Sequence, residues 1–492
     1  MERKVNFVYP NDLSKNIGVY PPLGIGYLAA YLSNKGYQTR VFDLTFCKDW
    51  LSQLSQEPQI YAITSTSTLS STAFRACLDI KRINKHNVVI MGGPHPTVLP
   101  EDTCKNPHVD FVVVGEGELT LFELCEAIID SRSLAKVKGI CFKAGSKVKK
   151  TAPRPPIENI DLLPFPRQDL FPLEIYFALR NIRELSIISS RGCYGDCTYC
   201  QPCLRAIFGK KLRFRSAKNV VAEIKQLKEK HNPDIIVFSD DTFGIGNHAD
   251  MICEEIIRQK IDIIWRCQAR VNISEKTLRL MKLAGCIAIA FGVETGDETI
   301  LKNIRKYTKL DDVRKAFNAC KRIGILAHAY LMVGNVGETK SSVLNTCMLL
   351  REIKPFSIEV HLTTPLPGTY LFDEAREKGW LKGKPDWSTL SYTEDTTLTL
   401  DLPTMSHEEL LRSRHYIKEC FGKIGYSNKL VYLVNYLADP ASILRVIRFA
   451  IRKPKILITA TSLMFKTVSS GVGVAFTNPS RLKELSVAAK KD

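Results

Sequence analysis

The run Leu185-Ser-Ile-Ile-Ser-Ser190-Arg-Gly-Cys193-Tyr-Gly-Asp-Cys197-Thr-Tyr-Cys200-Gln-Pro-Cys203 joins a short strand signal to a glycine-bearing loop of four cysteines. Further strand signals follow at Ile235–Ser239, Ile263–Gln268, Cys286–Val293, Ile325–Val333 and Ser357–Leu362. Helical patterns lie between them at Ser216–His231, Ala249–Lys260, Glu275–Ala284, Leu310–Ile323 and Lys340–Ile353. Six βα units in succession predict a full or partial α/β barrel, whose chemistry sits at the carboxyl ends of its strands. The cysteine loop leaves the first of these strands and so belongs at the barrel mouth.

On the amino side the same alternation appears once more. Strand signals at Val5–Tyr9, Gln38–Asp43, Gln59–Thr64, Asn87–Met91, Asp110–Val114 and Lys138–Lys143 surround helical patterns at Leu23–Lys35, Thr72–Asn84 and Leu119–Ser131. Continuous apolar strands separated by helices predict a parallel, flavodoxin-like (Rossmann-type) sheet with helices on both faces. Polar and glycine-rich segments follow its strands at Ser65–Thr68, Gly92–Thr97 and Gly115–Glu118. Ligands of open parallel sheets bind beyond the carboxyl ends of the strands; the alternative is that these are simple βα turns. Pro153, Pro155, Pro156, Pro164, Pro166 and Pro172 then mark a linker, because proline at this density stops helices. The expected organisation is α/β throughout: a sheet domain over 1–145, a proline-rich linker over 146–180, a barrel over 181–400 and a basic, mainly helical region over 401–492.

The 492 residues, 45% hydrophobic and 24% charged, have ordinary globular composition, which excludes disordered, collagenous and low-complexity classes. Fifteen scattered cysteines and an N-terminus without a secretory pattern point to a reducing cytoplasm rather than a disulfide framework. No uncharged apolar run of spanning length is present. The net charge of +18 favours anionic surroundings without choosing among phosphate-bearing substrates, nucleic acid and acidic lipid.

Three closely spaced thiolates in a short loop suit an iron–sulfur cluster, since soft sulfur matches iron. Three ligands for four irons leave one iron open. Two triples are available: Cys193, Cys197 and Cys200, with gaps of three and two residues, and Cys197, Cys200 and Cys203, with gaps of two and two. A zinc site on Cys200 and Cys203 would need a second Cys or His pair, and none lies nearby in sequence.

The spacing Cys193-x3-Cys197-x2-Cys200, with Tyr199 before the last cysteine, resembles the radical S-adenosylmethionine enzymes. Further markers follow in order: Phe238-Ser-Asp-Asp-Thr-Phe243, Trp265-Arg-Cys-Gln-Ala-Arg270, Gly292-Val-Glu-Thr-Gly-Asp297, Leu331-Met-Val-Gly-Asn-Val-Gly-Glu-Thr339 and Thr364-Pro-Leu-Pro-Gly-Thr369. These look like the subgroup with an N-terminal cobalamin-binding domain, to whose loops Tyr20-Pro-Pro-Leu-Gly24 and Gly92-Gly-Pro-His-Pro-Thr97 are similar. The chain departs from that pattern at Tyr194 and Val336, where many members carry proline.

The resemblance implies a [4Fe–4S] cluster on Cys193, Cys197 and Cys200, with Cys203 a bystander. Its open iron would chelate S-adenosylmethionine, and one electron would cleave the sulfonium to a 5′-deoxyadenosyl radical. Arg270 and Glu294 are the expected polar contacts to S-adenosylmethionine; the alternative for each is an ion pair inside the barrel. Tyr199 would lie against the adenine, Gly334 and Gly337 would let backbone approach the nucleoside, and Glu338 would cap the following helix. Asp240 and Asp241 would face substrate or cap a turn. Cobalamin would sit on Ser65, Thr66, Gly93, Gly115 and Glu116. Pro94 and Pro96 flank His95, so no histidine is expected on the cobalamin's lower face.

Residues 421–492 hold twelve Lys and Arg against three acids. Arg445, Arg448 and Arg452 form one helical stripe and Ile443, Ile447 and Ile451 another. This pattern suits an anionic membrane surface; the alternative is a helix that covers the barrel and turns a solvated basic face outward. The expected activity is cobalamin-dependent methylation of an unactivated carbon in a small-molecule or lipid-like substrate, fed by a low-potential donor such as ferredoxin or flavodoxin. Anaerobic porphyrin ring closure is the runner-up. A tRNA methylthiotransferase is disfavoured, and nucleic acid is not an expected partner, because the tail shows helix rather than a small β-barrel. A non-catalytic iron–sulfur carrier would leave the first domain without a role.

Overall fold

The computed structural model describes residues 2–11, 20–200, 202–381, 387 and 400–452, apart from the side chains of 202–204, 426, 427, 441 and 448–452. The first unit runs β1 (Lys4–Tyr9), α1 (Leu23–Asn34), β2 (Gln38–Asp43), β3 (Ile60–Thr64), α2 (Ser70–Ile83), β4 (Val88–Gly92), α3 (Pro94–Val98), α4 (Pro100–Lys105), β5 (Phe111–Val113), α5 (Gly117–Ile129), β6 (Ile140–Ala144) and β7 (Lys147–Lys150). The strand order is 2-1-3-4-5-6-7. Alternate residues of the central strands feed two cores. Phe7, Ala62 and Ile90 pack with Ile25, Ala29 and Leu124, while Val8, Ile63 and Met91 pack with Ala73, Cys77 and Ile80. A two-residue period with both faces buried is why these strands read as continuous apolar runs.

β1 to β5 are parallel, as expected, but β6 and β7 are antiparallel. The chain after α5 climbs back to the carboxyl end of β5, where Val114 N donates to Gly139 O at 2.8 Å. β6 therefore enters from the opposite end. The basic run 147–150, expected in a linker, is the edge strand β7, and its lysines keep that edge from pairing further. The proline-rich stretch also holds α6 (Leu173–Arg180). It lies against both units: Tyr176 donates to Asp43 at 2.5 Å, and Gln168 donates to Ser186 O at 2.9 Å.

The second unit runs β8 (Glu184–Ile187), β9 (Ser190–Arg191), α7 (Pro202–Phe208), β10 (Arg213–Phe214), α8 (Ala217–His231), β11 (Ile235–Phe243), α9 (His248–Arg258), β12 (Trp265–Ala269), α10 (Glu275–Leu283), β13 (Cys286–Glu294), α11 (Glu298–Asn303), α12 (Leu310–Ile323), β14 (Leu326–Val333), α13 (Lys340–Ile353), β15 (Ser357–Leu362) and α14 (Tyr370–Glu377). Six parallel strands in the order 8-11-12-13-14-15 form a partial barrel whose two edge strands do not pair with each other. Its helices start where short polar side chains accept orphan backbone amides: Ser216 from Asn219, Ser274 from Thr277, Asp297 from Ile300 and Thr339 from Ser342. α15 (His407–Gly422) closes the β15 side, and Arg414 donates to Val360 O at 3.1 Å. α16 (Tyr426–Leu437) and α17 (Pro440–Arg452) follow.

The two units are locked by buried charge. Glu116 accepts from Arg191 at 2.9 Å and from Arg213 at 2.9 Å, and Glu118 accepts from Arg191 at 2.6 Å. All four side chains are at most 5% exposed.

Candidate functional site

Asp240, on β11, holds the entrance to the cysteine loop. Its carboxylate accepts from Ser189 N at 2.9 and 3.0 Å, from Ser189 Oγ at 2.9 Å and from Ser190 Oγ at 2.5 Å. Asp240 therefore ties the turn between β8 and β9, and neither substrate nor a helix end takes its oxygens. β9 pairs with β10, and Gly192 follows at φ +96°. A Cβ there would stand 2.3 Å from the Lys211 carbonyl oxygen. Gly192→Ala is expected to cost about 1–3 kcal/mol from left-handed backbone alone, with the overlap on Lys211 added; urea denaturation measures the loss.

Cys193 and Cys197 are each 8% exposed, and Cys200 is half-buried. Thr198 N donates to Ile304 O, and Leu371 N donates to Thr198 O, each at 3.0 Å. These bonds pin the loop between the end of α11 and the start of α14. The sulfurs and Arg270 gather closely on Gly195, where a Cβ would lie 3.4 Å from Cys193 Sγ, 3.9 Å from Cys197 Sγ and 3.3 Å from Arg270 Nη1. Burial raises the Cys197 thiol pKa, while Lys306 and Arg270 act to lower it and so favour thiolate. Among the described residues no three ligands converge on one metal ion. A cuboidal cluster asks for something else, one thiolate on each of three irons, and buried sulfurs gathered on one loop beside two cations fit that demand. The side chain of Cys203 lies outside the described residues.

Arg270 stacks on the Tyr194 ring, with its guanidinium carbon 5.2 Å from the ring centroid. Among the described residues no carboxylate pairs with it. Glu294 is buried at φ +66°, a strained setting for a non-glycine residue. Lys306 Nζ lies 2.5 Å from its Oε1, and burial, then the charge of the same carboxylate, hold the Tyr199 phenol's pKa well above its ordinary value. Sequence reasoning missed Lys306, which reaches the mouth from the loop after α11. Gly334 and Gly337 adopt φ +95° and +82°. The space a Gly334 Cβ would take adjoins Leu410 of α15, and that of Gly337 adjoins Asn303. Glu338 accepts from Gly334 N at 2.5 Å and Asn335 N at 3.0 Å, closing this turn. The cap expected of it on α13 belongs instead to Thr339 and Ser342.

The barrel's inner face is polar and open. Ser239, Asp241 and Gln268 are exposed on it, and His328, Tyr330 and Glu359 are half-buried. Register places Gln268, Ala290, His328 and Ser357 in one row and Gly292, Tyr330 and Glu359 in the next. The small residues of β13 leave the room. His328 Nδ1 lies 2.8 Å from Ser357 Oγ, while its buried Nε2 has no partner. Burial lowers the His328 pKa to about 4, so the ring is neutral. Asp241 is accessible yet ringed by protein; desolvation, then the Asp240 charge, push its pKa up to about 7.

A raised carboxyl favours the protonated fold, so Asp241's contribution to stability falls as pH climbs from its ordinary value of 3.8 through about 7. Asp241→Asn lacks this fall. Its urea midpoint should match the parent near about pH 4 and exceed it near about pH 8.

Ser65, Thr66, Gly93, Gly115 and Glu116 stand at the carboxyl ends of β3, β4 and β5. Ser65 is fully buried, with its amide on Gly92 O and its carbonyl on His95 N, each at 3.0 Å. Thr66 Oγ1 lies 2.8 Å from Thr68 Oγ1, and Gly115 N donates to Thr97 at 3.2 Å. α3, with Gly93 as its N-cap, packs on α7 directly behind the cysteine loop, so the two ligand regions adjoin. His95 is buried between Phe74 and Trp387, its Nδ1 3.1 Å from Ser67 Oγ; burial lowers its pKa to about 4. Glu116, expected to face a ligand, has its oxygens engaged by Arg191 and Arg213.

The Radical SAM superfamily model matches residues 187–350, and the B12 binding domain model matches 15–124. An uncharacterized methyltransferase of Pyrococcus horikoshii is 31% identical over 412 residues, covering 82% of this chain and 86% of its own length. The chain belongs to the cobalamin-dependent radical S-adenosylmethionine enzymes. Its cofactors are a [4Fe–4S] cluster, S-adenosylmethionine and cobalamin. The anaerobic magnesium-protoporphyrin IX monomethyl ester cyclase of Rubrivivax gelatinosus is 29% identical, covering 76% of this chain and 70% of its own. The fold is shared with a radical S-adenosylmethionine methyltransferase, TsrM, from Kitasatospora setae, with a TM-score of 0.67 at 20% identity over 84% of this chain and 82% of that one.

Proposed function

We propose that this radical S-adenosylmethionine enzyme methylates an unactivated carbon of a small-molecule or lipid-like substrate, and that Cys193, Cys197 and Cys200 hold its cluster. The observation that carries the site is the gathering of two buried sulfurs and an unpaired guanidinium around Gly195. When bound, the cofactors supply reductive cleavage of a sulfonium and a transferable methyl group, with the electron coming from a low-potential protein donor.

Arg270 offers its free guanidinium to the methionine carboxylate, a bidentate match. Lys306 fixes Glu294, which presents its remaining acceptor capacity to the amino or ribose groups, and Tyr199 braces that carboxylate from below. Ser65, Thr66, Gly93 and Gly115 line the cobalamin loops, and neutral His95 is kept by Ser67. Asp241, Gln268, His328 and Tyr330 face the substrate, so the part of it that enters the barrel carries hydrogen-bonding groups. The methyltransferase relative supports methyl transfer as the reaction class.

Anaerobic reconstitution with iron, sulfide, cobalamin, S-adenosylmethionine and a reductant, read by mass spectrometry, tests the proposal. 5′-Deoxyadenosine together with a methylated product is expected. An oxidised, ring-closed product instead would place the chain with the cyclases, and deoxyadenosine formation without bound corrinoid would remove cobalamin from the reaction.

A further inference from the structure

α16 is turned the opposite way from an ordinary surface helix. Its polar side chains face the barrel: Asn428 donates to Lys354 O at 2.9 Å and Pro355 O at 3.1 Å, and Asn435 donates to Lys321 O at 2.6 Å. Tyr432 is fully buried against Phe356. Its aliphatic residues face out, with Leu430 62%, Val434 58%, Leu437 41% and Val431 40% exposed. α17 continues the pattern. Arg445 is turned inward, onto the Lys282 and Leu283 carbonyls at the end of α10, while Leu444 is 54%, Ile447 48% and Ile443 40% exposed. Of the expected basic stripe, Arg445 is inward and the side chains of Arg448 and Arg452 lie outside the described residues; of the expected apolar stripe, Ile443 and Ile447 are outward and the Ile451 side chain lies outside them. A contiguous exposed apolar face marks a contact surface.

Charge selects the occupant. The region from 421 onward carries twelve basic residues against three acids, and Lys453 and Lys455 follow α17 directly in sequence. A second copy would bring together two chains that each carry this positive excess. An anionic bilayer accepts both the leucine and isoleucine side chains and a segment of this net charge. Among the described residues no helix is long and apolar enough to cross a membrane. We propose that the outward apolar face of α16 and α17 docks this protein onto an anionic lipid surface. The proposal goes beyond the reaction above and stands or falls separately from it.

Flotation of the full chain with vesicles of phosphatidylcholine alone, or mixed with phosphatidylglycerol, tests it. Binding to the mixed vesicles that weakens with salt is expected, as is little binding to phosphatidylcholine. Leu430→Asp and Val434→Asp should each lower the partition coefficient about tenfold, whereas Leu162→Asp, at another exposed leucine, should not. Val434→Trp supplies a reading that needs no loss of binding: its fluorescence should shift to the blue and be quenched by brominated lipid beyond the parent's. Absence of flotation with the mixed vesicles, flotation indifferent to both aspartates, or a dimer in light scattering that the aspartates dissolve would overturn the proposal.

Discussion

Cys197→Ala is expected to abolish cleavage of S-adenosylmethionine while leaving a folded protein. Its sulfur is buried beside Gly195, 3.9 Å from where a Cβ would stand; burial raises its pKa, and Lys306 and Arg270 offset part of that rise. Losing it leaves two ligands for a cluster that needs three, so reconstituted iron and sulfide should fall together and the cluster absorbance should vanish. The loop itself is held by Thr198 and Asp240, which the substitution does not touch. Far-UV circular dichroism should therefore match the parent. Iron content and deoxyadenosine yield check the prediction, and retained turnover would show that the cluster uses other ligands.

Glu116→Ala should produce the largest loss of stability. It strips the shared carboxylate from Arg191 and Arg213, which are 5% and 2% exposed; Arg191 keeps Glu118, while Arg213 is left buried with only carbonyl partners. Removing one side of a buried pair costs about 3–5 kcal/mol, and the loss should appear in the protein without cofactors. Denaturant unfolding of the apoprotein measures it. A Glu116 that served only cobalamin would leave apoprotein stability unchanged and lower corrinoid binding instead.

Periodicity made most of both sheets legible, because apolar strands between amphipathic helices leave few alternatives. The direction of β6 was not, since nothing local records that residues 130–139 return to the far end of the sheet. Glu116 looked like a ligand residue in a glycine-rich turn; its partners lie 75 and 97 residues away. Lys306 and Glu294 likewise meet only through the loop after α11. The spacing of Leu430, Val434 and Leu437 announces an apolar face on α16, but burying that face is only the usual outcome, and here Asn428, Asn435 and Tyr432 take the inward side. Asp240 and Asp241 are neighbours in sequence, yet the two-residue period of β11 sends one into the cysteine turn and the other into the lumen.

If three cysteines hold the cluster, one iron is left free for S-adenosylmethionine. Electron paramagnetic resonance of the reconstituted, reduced protein, recorded with and without S-adenosylmethionine, reads that vacancy. A reduced cluster signal whose g values move when S-adenosylmethionine is added is the predicted result. A signal unchanged by S-adenosylmethionine, or a colourless protein without iron, would contradict the account.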